Sequence, residues 1–185
     1  KVDRARFRFW LVYRTLWWAL GCMQMAEIWR LGADRNLERA VIGRRTSENE
    51  VDLLLLLEDD APEVERQPID LPAVAAPRRA GEPSAVELLE AIREWVDVGV
   101  KAKTAGREKF MAAVAMNALG MLIREAENPV DPHDAVLSVE LMEGKASLAT
   151  PGLLPQLRVT TLAKLANDSP KYASLAAAKA RWLKG

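Results

Sequence analysis

Phe7 to Trp29 is one long helical stretch that is apolar on more of its surface than the following sequence can cover. One stripe runs through Phe7, Leu11, Trp18, Cys22, Met25 and Trp29, and a second through Trp10, Tyr13, Trp17 and Leu20. Successive helical residues are about 100° apart, so together the stripes make well over half the cylinder apolar. Burying each large side chain is worth roughly 1.5–3 kcal/mol, yet only one further helix follows before a proline-rich break. Two helices cannot enclose each other on all sides, and the chain opens on Lys1 rather than Met. The expectation is a fragment of a larger protein, or a piece docked on a partner.

Several function classes fall away at once. Lys+Arg and Asp+Glu both number 26, so no net field favours nucleic acid or an acidic membrane surface. Arg14 interrupts the first helix, and Gln24 and Glu27 follow near its end. No uninterrupted run of about 20 apolar residues is left for a membrane span. The same stretch lacks the small-residue cleavage site of a signal peptide. A single cysteine, Cys22, excludes an intrachain disulfide and sits on an apolar stripe as a buried thiol. The profile is cytoplasmic.

An all-α chain in three regions is expected, with no strand. Residues 1–57 form a helical hairpin: Asp3 caps the first helix, Gly32 closes it, and a second helix runs from about Asn36 to Leu57. The short connection makes the two antiparallel neighbours. Residues 58–83 begin acidic and contain Pro62, Pro68, Pro72, Pro77 and Pro83, which reads as an extended, semi-rigid linker. Residues 84–185 form a small helical bundle. There Ser84 and Glu87 match a capping box, with Leu88, Ile92, Trp95 and Val96 behind them on one face. A helix of about Arg107 to Glu125 is apolar widely enough to be central. Asp131-Pro132, Thr150-Pro151 and Ser169-Pro170 each place a capping side chain before a proline suited to the first helical position.

Familiar catalytic arrangements are missing. There is no glycine-rich phosphate loop, and one histidine with one cysteine gives no zinc site. His133 falls in the first turn of an expected helix, where Asp134 suits the helix dipole without further function. Two polar clusters are candidates. Leu37, Val41, Arg44, Glu48, Val51 and Leu55 share one face of the second helix, which sets Arg44 and Glu48 within an apolar stripe. They are either an ion pair pinning the helix, or Arg44 or Arg45 reaches a phosphate or carboxylate in an adjoining cleft. The second cluster is Asn117, expected to be buried with Phe110, Val114 and Met121, together with Arg107, Arg124, Lys164, Asn167, Asp168 and Tyr172. It either fixes how the helices cross or forms a docking or ligand face.

Trp10-Leu-Val-Tyr-Arg-Thr-Leu-Trp-Trp-Ala-Leu-Gly-Cys-Met-Gln-Met-Ala, followed by Glu38 to Leu54 with its Gly43-Arg44-Arg45 and Glu48-Asn49-Glu50 elements, resembles the C-terminal helices of aminoglycoside-phosphotransferase-like kinases. The likeness is to the bacterial branch found alongside acyl-CoA dehydrogenases. Glu87-Leu-Leu-Glu-Ala-Ile-Arg, Gly106-Arg107, Asn117-Ala-Leu and the run Leu157 to Tyr172 resemble a small helical domain that accompanies those kinases. The resemblance implies a parent enzyme that uses ATP and Mg²⁺ to phosphorylate the hydroxyl of a hydroxyacyl-CoA. That makes the hydroxyl a leaving group for an acyl-CoA dehydrogenase-like partner. It also implies a kinase catalytic lobe, upstream or on a separate chain.

The departures are equally specific. The phosphate-covering loop, the ATP-positioning Lys, the His-x-Asp catalytic loop and the metal-binding Asp that phosphoryl transfer needs do not occur. His133-Asp134 has the wrong spacing, and Met111 stands where the accessory domain is expected to carry a histidine. The chain alone is therefore expected not to catalyse or to bind ATP, with Arg44, Arg45 and Glu48 on the substrate side of the kinase lobe. The rival expectation is a non-enzymatic interaction module that recruits a dehydrogenase-like partner or drives oligomerisation.

Overall fold

Side-chain periodicity is helical throughout, and the computed structural model, which describes residues 2–73, 83–130 and 134–184, is all-α. Its helices are α1 (Arg4–Arg30), α2 (Leu37–Gly43), α3 (Thr46–Leu57), α4 (Ala85–Trp95), α5 (Gly106–Glu127), α6 (Asp134–Met142), α7 (Leu153–Asp168) and α8 (Ala173–Trp182). The chain divides into two compact units that interleave in sequence. The first holds residues 1–20, 47–73 and 130–185, the second 21–46 and 74–129. This differs from the expected order of hairpin, linker and bundle, because residues 84–185 are shared between the units.

The ends of α1 are as expected. Asp3 Oδ1 accepts from the Arg6 N–H at 3.1 Å, and Gly32 ends the helix at a φ of 80°, where a Cβ would be strained. Its orientation is the surprise. Phe7, Phe9, Trp10, Tyr13, Leu16, Trp17 and Leu20 are exposed, whereas Arg8, Val12, Thr15, Ala19 and Cys22 are covered to varying degrees, Cys22 completely. Those five recur at offsets of four, seven, eleven and fourteen residues, so the helix packs through a polar and small-residue stripe.

The expected single helix from Asn36 to Leu57 is broken. Asn36 caps α2 by accepting from the Glu38 N–H at 3.1 Å, but the chain turns at Arg44-Arg45 before α3 begins. Gly43 lies against α1 so closely that an added Cβ would sit 2.7 Å from the Ala26 Cβ. The Thr46 hydroxyl then donates to the Gly43 carbonyl at 3.3 Å.

In the first unit, α3, α7 and α8 close around Val51, Leu162, Leu165, Leu175, Ala178 and Trp182. Of the stretch expected as an extended linker, residues 58–73 belong to this unit, with Glu58, Ala61 and Glu65 buried, while residues 74–82 lie outside the described residues. Glu58–Asp60 and Glu63–Arg66 are single 3₁₀ turns. Beyond them, the Ile69 N–H donates to the Trp182 carbonyl at 2.7 Å, and the Lys184 N–H returns a bond to Ile69 at 3.2 Å. Pro62 stands just before the Glu63–Arg66 turn.

In the second unit, α4 packs along α5 and continues through a π-helical turn at Val96–Val100. The Ser84 capping box forms as expected: Ser84 Oγ accepts from the Glu87 N–H at 3.4 Å, and Glu87 Oε2 accepts from the Ser84 N–H at 2.8 Å. However, Leu88, Ile92 and Trp95 stay exposed and only Val96 of that face is buried.

The other capping devices do not act as expected. The Thr150 hydroxyl accepts from the Ser147 N–H at 2.9 Å, and α7 starts at Leu153. Ser169 turns its hydroxyl to Glu48, and α8 starts at Ala173. A proline does not start a helix when its capping side chain bonds elsewhere. Asp131, Pro132 and His133 lie outside the described residues.

Candidate functional site

The main polar site of the first unit lies between α3 and the C-terminal half of α7. Ser47, Glu48 and Asn49 of α3 are buried, as are Thr161, Asn167 and Asp168 of α7. Ser169 Oγ donates to Glu48 Oε1 at 2.9 Å. The Tyr172 hydroxyl donates to Asp52 Oδ2 at 2.7 Å, and Lys164 Nζ lies 3.3 Å from Glu50 Oε2. Lys164 and Tyr172 thus each reach an acidic side chain of α3. Groups this dry require hydrogen-bond partners, and the contacts fix the α7–α8 turn onto α3.

Beside it is an open groove of about 260 Å³, walled by Leu54 of α3, Leu137 and Leu141 of α6, and Leu157 of α7. Glu50 and Lys164 stand at one end.

A second site escaped the sequence reading. Arg158 of α7 and Glu58 are both buried, with side chains 2% and 0% exposed. Arg158 donates through Nη2 and Nε to Glu58 Oε2 at 2.5 and 3.1 Å, and through Nη1 to the Gln67 carbonyl at 3.0 Å. Arg181 Nε lies 2.5 Å from the other Glu58 oxygen, off-axis for a hydrogen bond, while its Nη2 donates to Asp59. The Arg158 guanidinium also stands 5.7 Å from the Trp182 ring centroid. Immediately before α7, the Gly152 N–H donates to the buried Glu65 carboxylate at 2.7 Å, which places an anion at a helix N-terminus. The signal was in the sequence: Leu154, Arg158, Leu162 and Leu165 share a helical face, so an arginine sits in an apolar stripe. Its acidic partner was hidden because Glu58 opens the stretch read as a linker.

The remaining candidates belong to the second unit. Arg44 Nη2 donates to Glu125 of α5 at 2.8 Å, while Arg45 is exposed at the turn between α2 and α3. Arg107 pairs with Glu38 and lies 5.8 Å from the Phe110 ring centroid. Arg124 is half-buried, its guanidinium close over Gly120. Asn117 is a correction: it is exposed, not buried, and so is Phe110. The helix buries Ala112, Gly120 and Ile123 instead, and of the Phe110–Asn117 face Val114 is half-buried and Met121 buried. Arg44 and Arg45 stand at the turn after α2, whereas Glu48 lies in the first turn of α3, so they are not on one continuous helix.

Two further charges are perturbed. The hydrogen bond to Asp60 holds the Arg8 guanidinium above its usual range. Asp34 is held below its usual range, first by Arg39, whose Nε donates at 2.5 Å, and then by the Asn36 N–H. Among the described residues, no group of three or more His, Cys, Asp or Glu side chains could hold a metal ion. Nor is any described helix long and apolar enough to cross a membrane. No protein family, curated protein or solved structure matches the chain.

Proposed function

We propose that this chain is the non-catalytic C-terminal portion of an ATP-dependent small-molecule kinase acting on a hydroxyacyl-CoA, and that α1 docks on the catalytic lobe. The observation that carries this reading is the outward face of α1. Phe9, Trp10 and Tyr13 form a contiguous ring cluster, with centroids 5.5 to 6.3 Å apart, and Trp17 is 53% exposed one turn further on. A contiguous apolar patch marks a surface that takes a partner, and aromatic anchors of this kind dominate interface energetics. The resemblance of Trp10–Ala26 and Glu38–Leu54 to kinase C-lobe helices names that partner. ATP and Mg²⁺ then belong to the catalytic lobe, and phosphorylation prepares the hydroxyl for removal by an acyl-CoA dehydrogenase-like enzyme.

The second reading, an interaction module that recruits such an enzyme or drives oligomerisation, is favoured by the exposed stripe Leu88, Ile92, Trp95 on α4.

The test begins with the native polypeptide bearing these residues, captured by an antibody to residues 84–185. A species of about 50 kDa or more has room for a kinase lobe, and that species is assayed with ATP, Mg²⁺ and a 4-hydroxyacyl-CoA. Turnover that Trp10→Ser/Trp17→Ser abolishes supports docking through α1. A native chain near 20.5 kDa that binds no kinase lobe leaves the interaction-module reading. Turnover by the isolated chain overturns the assignment of the catalytic groups to another lobe.

A further inference from the structure

We infer, resting on the docking of α1 proposed above, that the surface receiving it is an apolar groove edged by carboxylates, one beside Arg6 and one beside Arg14. The outer row of α1 gives the groove. Arg6, Trp10, Tyr13, Trp17 and Leu20 recur at offsets of four, seven, eleven and fourteen residues, the spacing of one helical face. All five are exposed, on the side away from Arg8, Val12, Thr15 and Ala19. Apolar side chains at this spacing are the anchors with which a helix seats itself in a groove of another protein.

The charge gives the edges. Although the whole chain is balanced, Arg4 to Ala26 holds four arginines and no Asp or Glu. Arg8, on the inward side, finds its acceptors within the chain: it donates to the Leu56 carbonyl at 2.8 Å and to Asp60 at 2.6 Å. The Arg6 and Arg14 side chains are exposed and pair with no carboxylate among the described residues. The Arg14 guanidinium lies 4.8 Å from the Trp17 ring centroid, so a partner that covers Trp17 takes water from this cation too. A charge taken out of water needs a counter-charge beside it. The rise from Arg6 to Arg14 sets the two carboxylates roughly 12 Å apart along the helix. A membrane-surface helix keeps its cations on the face opposite its rings. Arg6 stands in the row of rings itself, which favours a protein groove.

The experiment is hydroxyl-radical footprinting of Trp10 and Trp17, read by mass spectrometry, in the native species captured through residues 84–185 and in the isolated chain. Labelling is expected to be several-fold slower in the native species. Arg6→Glu/Arg14→Glu is expected to return it to the rate of the isolated chain, since like charges then meet across the interface. Arg6→Lys/Arg14→Lys keeps the protection. The charge-reversed chain alone should melt with the wild type, which separates lost docking from a lost fold. Rings that stay protected in the charge-reversed species overturn the inference and leave docking through α1 standing. Rings labelled alike in the native species and the isolated chain overturn both, because nothing then covers α1. Protection in a species made only of copies of this chain, or only on phosphatidylserine vesicles, also overturns the inference, the occupant being a second copy or a membrane.

Discussion

Helices α1 and α7 reverse the usual order of inside and outside, each in its own way. The first turns Phe9, Trp10, Tyr13 and Trp17 to the surface and packs through Arg8, Val12, Thr15 and Ala19. The second takes Arg158 into its interior among Leu154, Leu162 and Leu165. An apolar stripe shows that a face gains by being covered, without saying by what. A charge in such a stripe says more, because burying it is tolerated only beside a partner. The identity of that partner can be sought in the same chain, and here it is Glu58.

The largest effect that would break this comparison is on Arg158. Arg158→Met leaves Glu58 buried with its main partner gone. The expected loss is about 3–5 kcal/mol of stability, the usual cost of stranding one member of a buried pair, measured by urea denaturation. Replacing both, as Glu58→Leu/Arg158→Met, is expected to recover most of that loss. A single substitution costing under about 1 kcal/mol would mean that the pair is as dispensable as a surface bridge.

Gly43→Ala probes the packed side of α1. Its Cβ would meet the Ala26 Cβ at 2.7 Å, with backbone behind it, so about 1–3 kcal/mol of destabilisation is expected from overpacking. Ala26→Gly should relieve most of the clash, less the cost of glycine within a helix, roughly 1 kcal/mol. Additive effects in the double mutant would show that the two residues do not approach as described.

On the outward side of α1, Trp17→Ser should change the stability of the isolated chain by no more than about 0.5 kcal/mol, the range for surface positions. The same substitution should weaken any complex made through that face. A large loss of stability in the isolated chain would show that the ring is part of this chain's own core, and the contrast with α7 would disappear.

Helical content, the caps at Asp3 and Ser84, and the stop at Gly32 were legible because each depends on a few neighbouring residues. That Lys164, Asp168 and Tyr172 lie around one helix-to-helix turn was legible for the same reason. What failed were inferences about long-range cover. Asn117 looked buried because Phe110, Val114 and Met121 share its face, yet α5 turns Ala112, Gly120 and Ile123 inward. The helix from Asn36 to Leu57 looked continuous, and the closeness of Ala26 to Gly43 that accompanies its break is a tertiary fact. Glu58 and Glu65 looked solvated because they lie among prolines. Their partners, Arg158 and the Gly152 N–H, are 100 and 87 residues away.

The smallest effect concerns the loop that leaves α1. Asp34 accepts from Arg39 Nε at 2.5 Å and from the Asn36 N–H at 3.0 Å, and both bonds favour its charged form. Because its pKa is lower folded than unfolded, its contribution to stability is present above the ordinary value of 3.8. It is lost as the pH falls through the folded value below that. Asp34→Asn keeps an oxygen for the Asn36 N–H and removes only the charge facing Arg39. The wild-type chain should therefore melt slightly higher than the variant at about pH 7, and the difference should shrink as the pH falls below 3.8 and vanish once it is below the folded value. Since Asp34 and Arg39 both keep substantial solvent exposure, added salt should shrink the difference at neutral pH. A gap that persists in acid would mean that the asparagine disturbs the turn itself, and the ion pair would not be what holds the chain as it leaves α1.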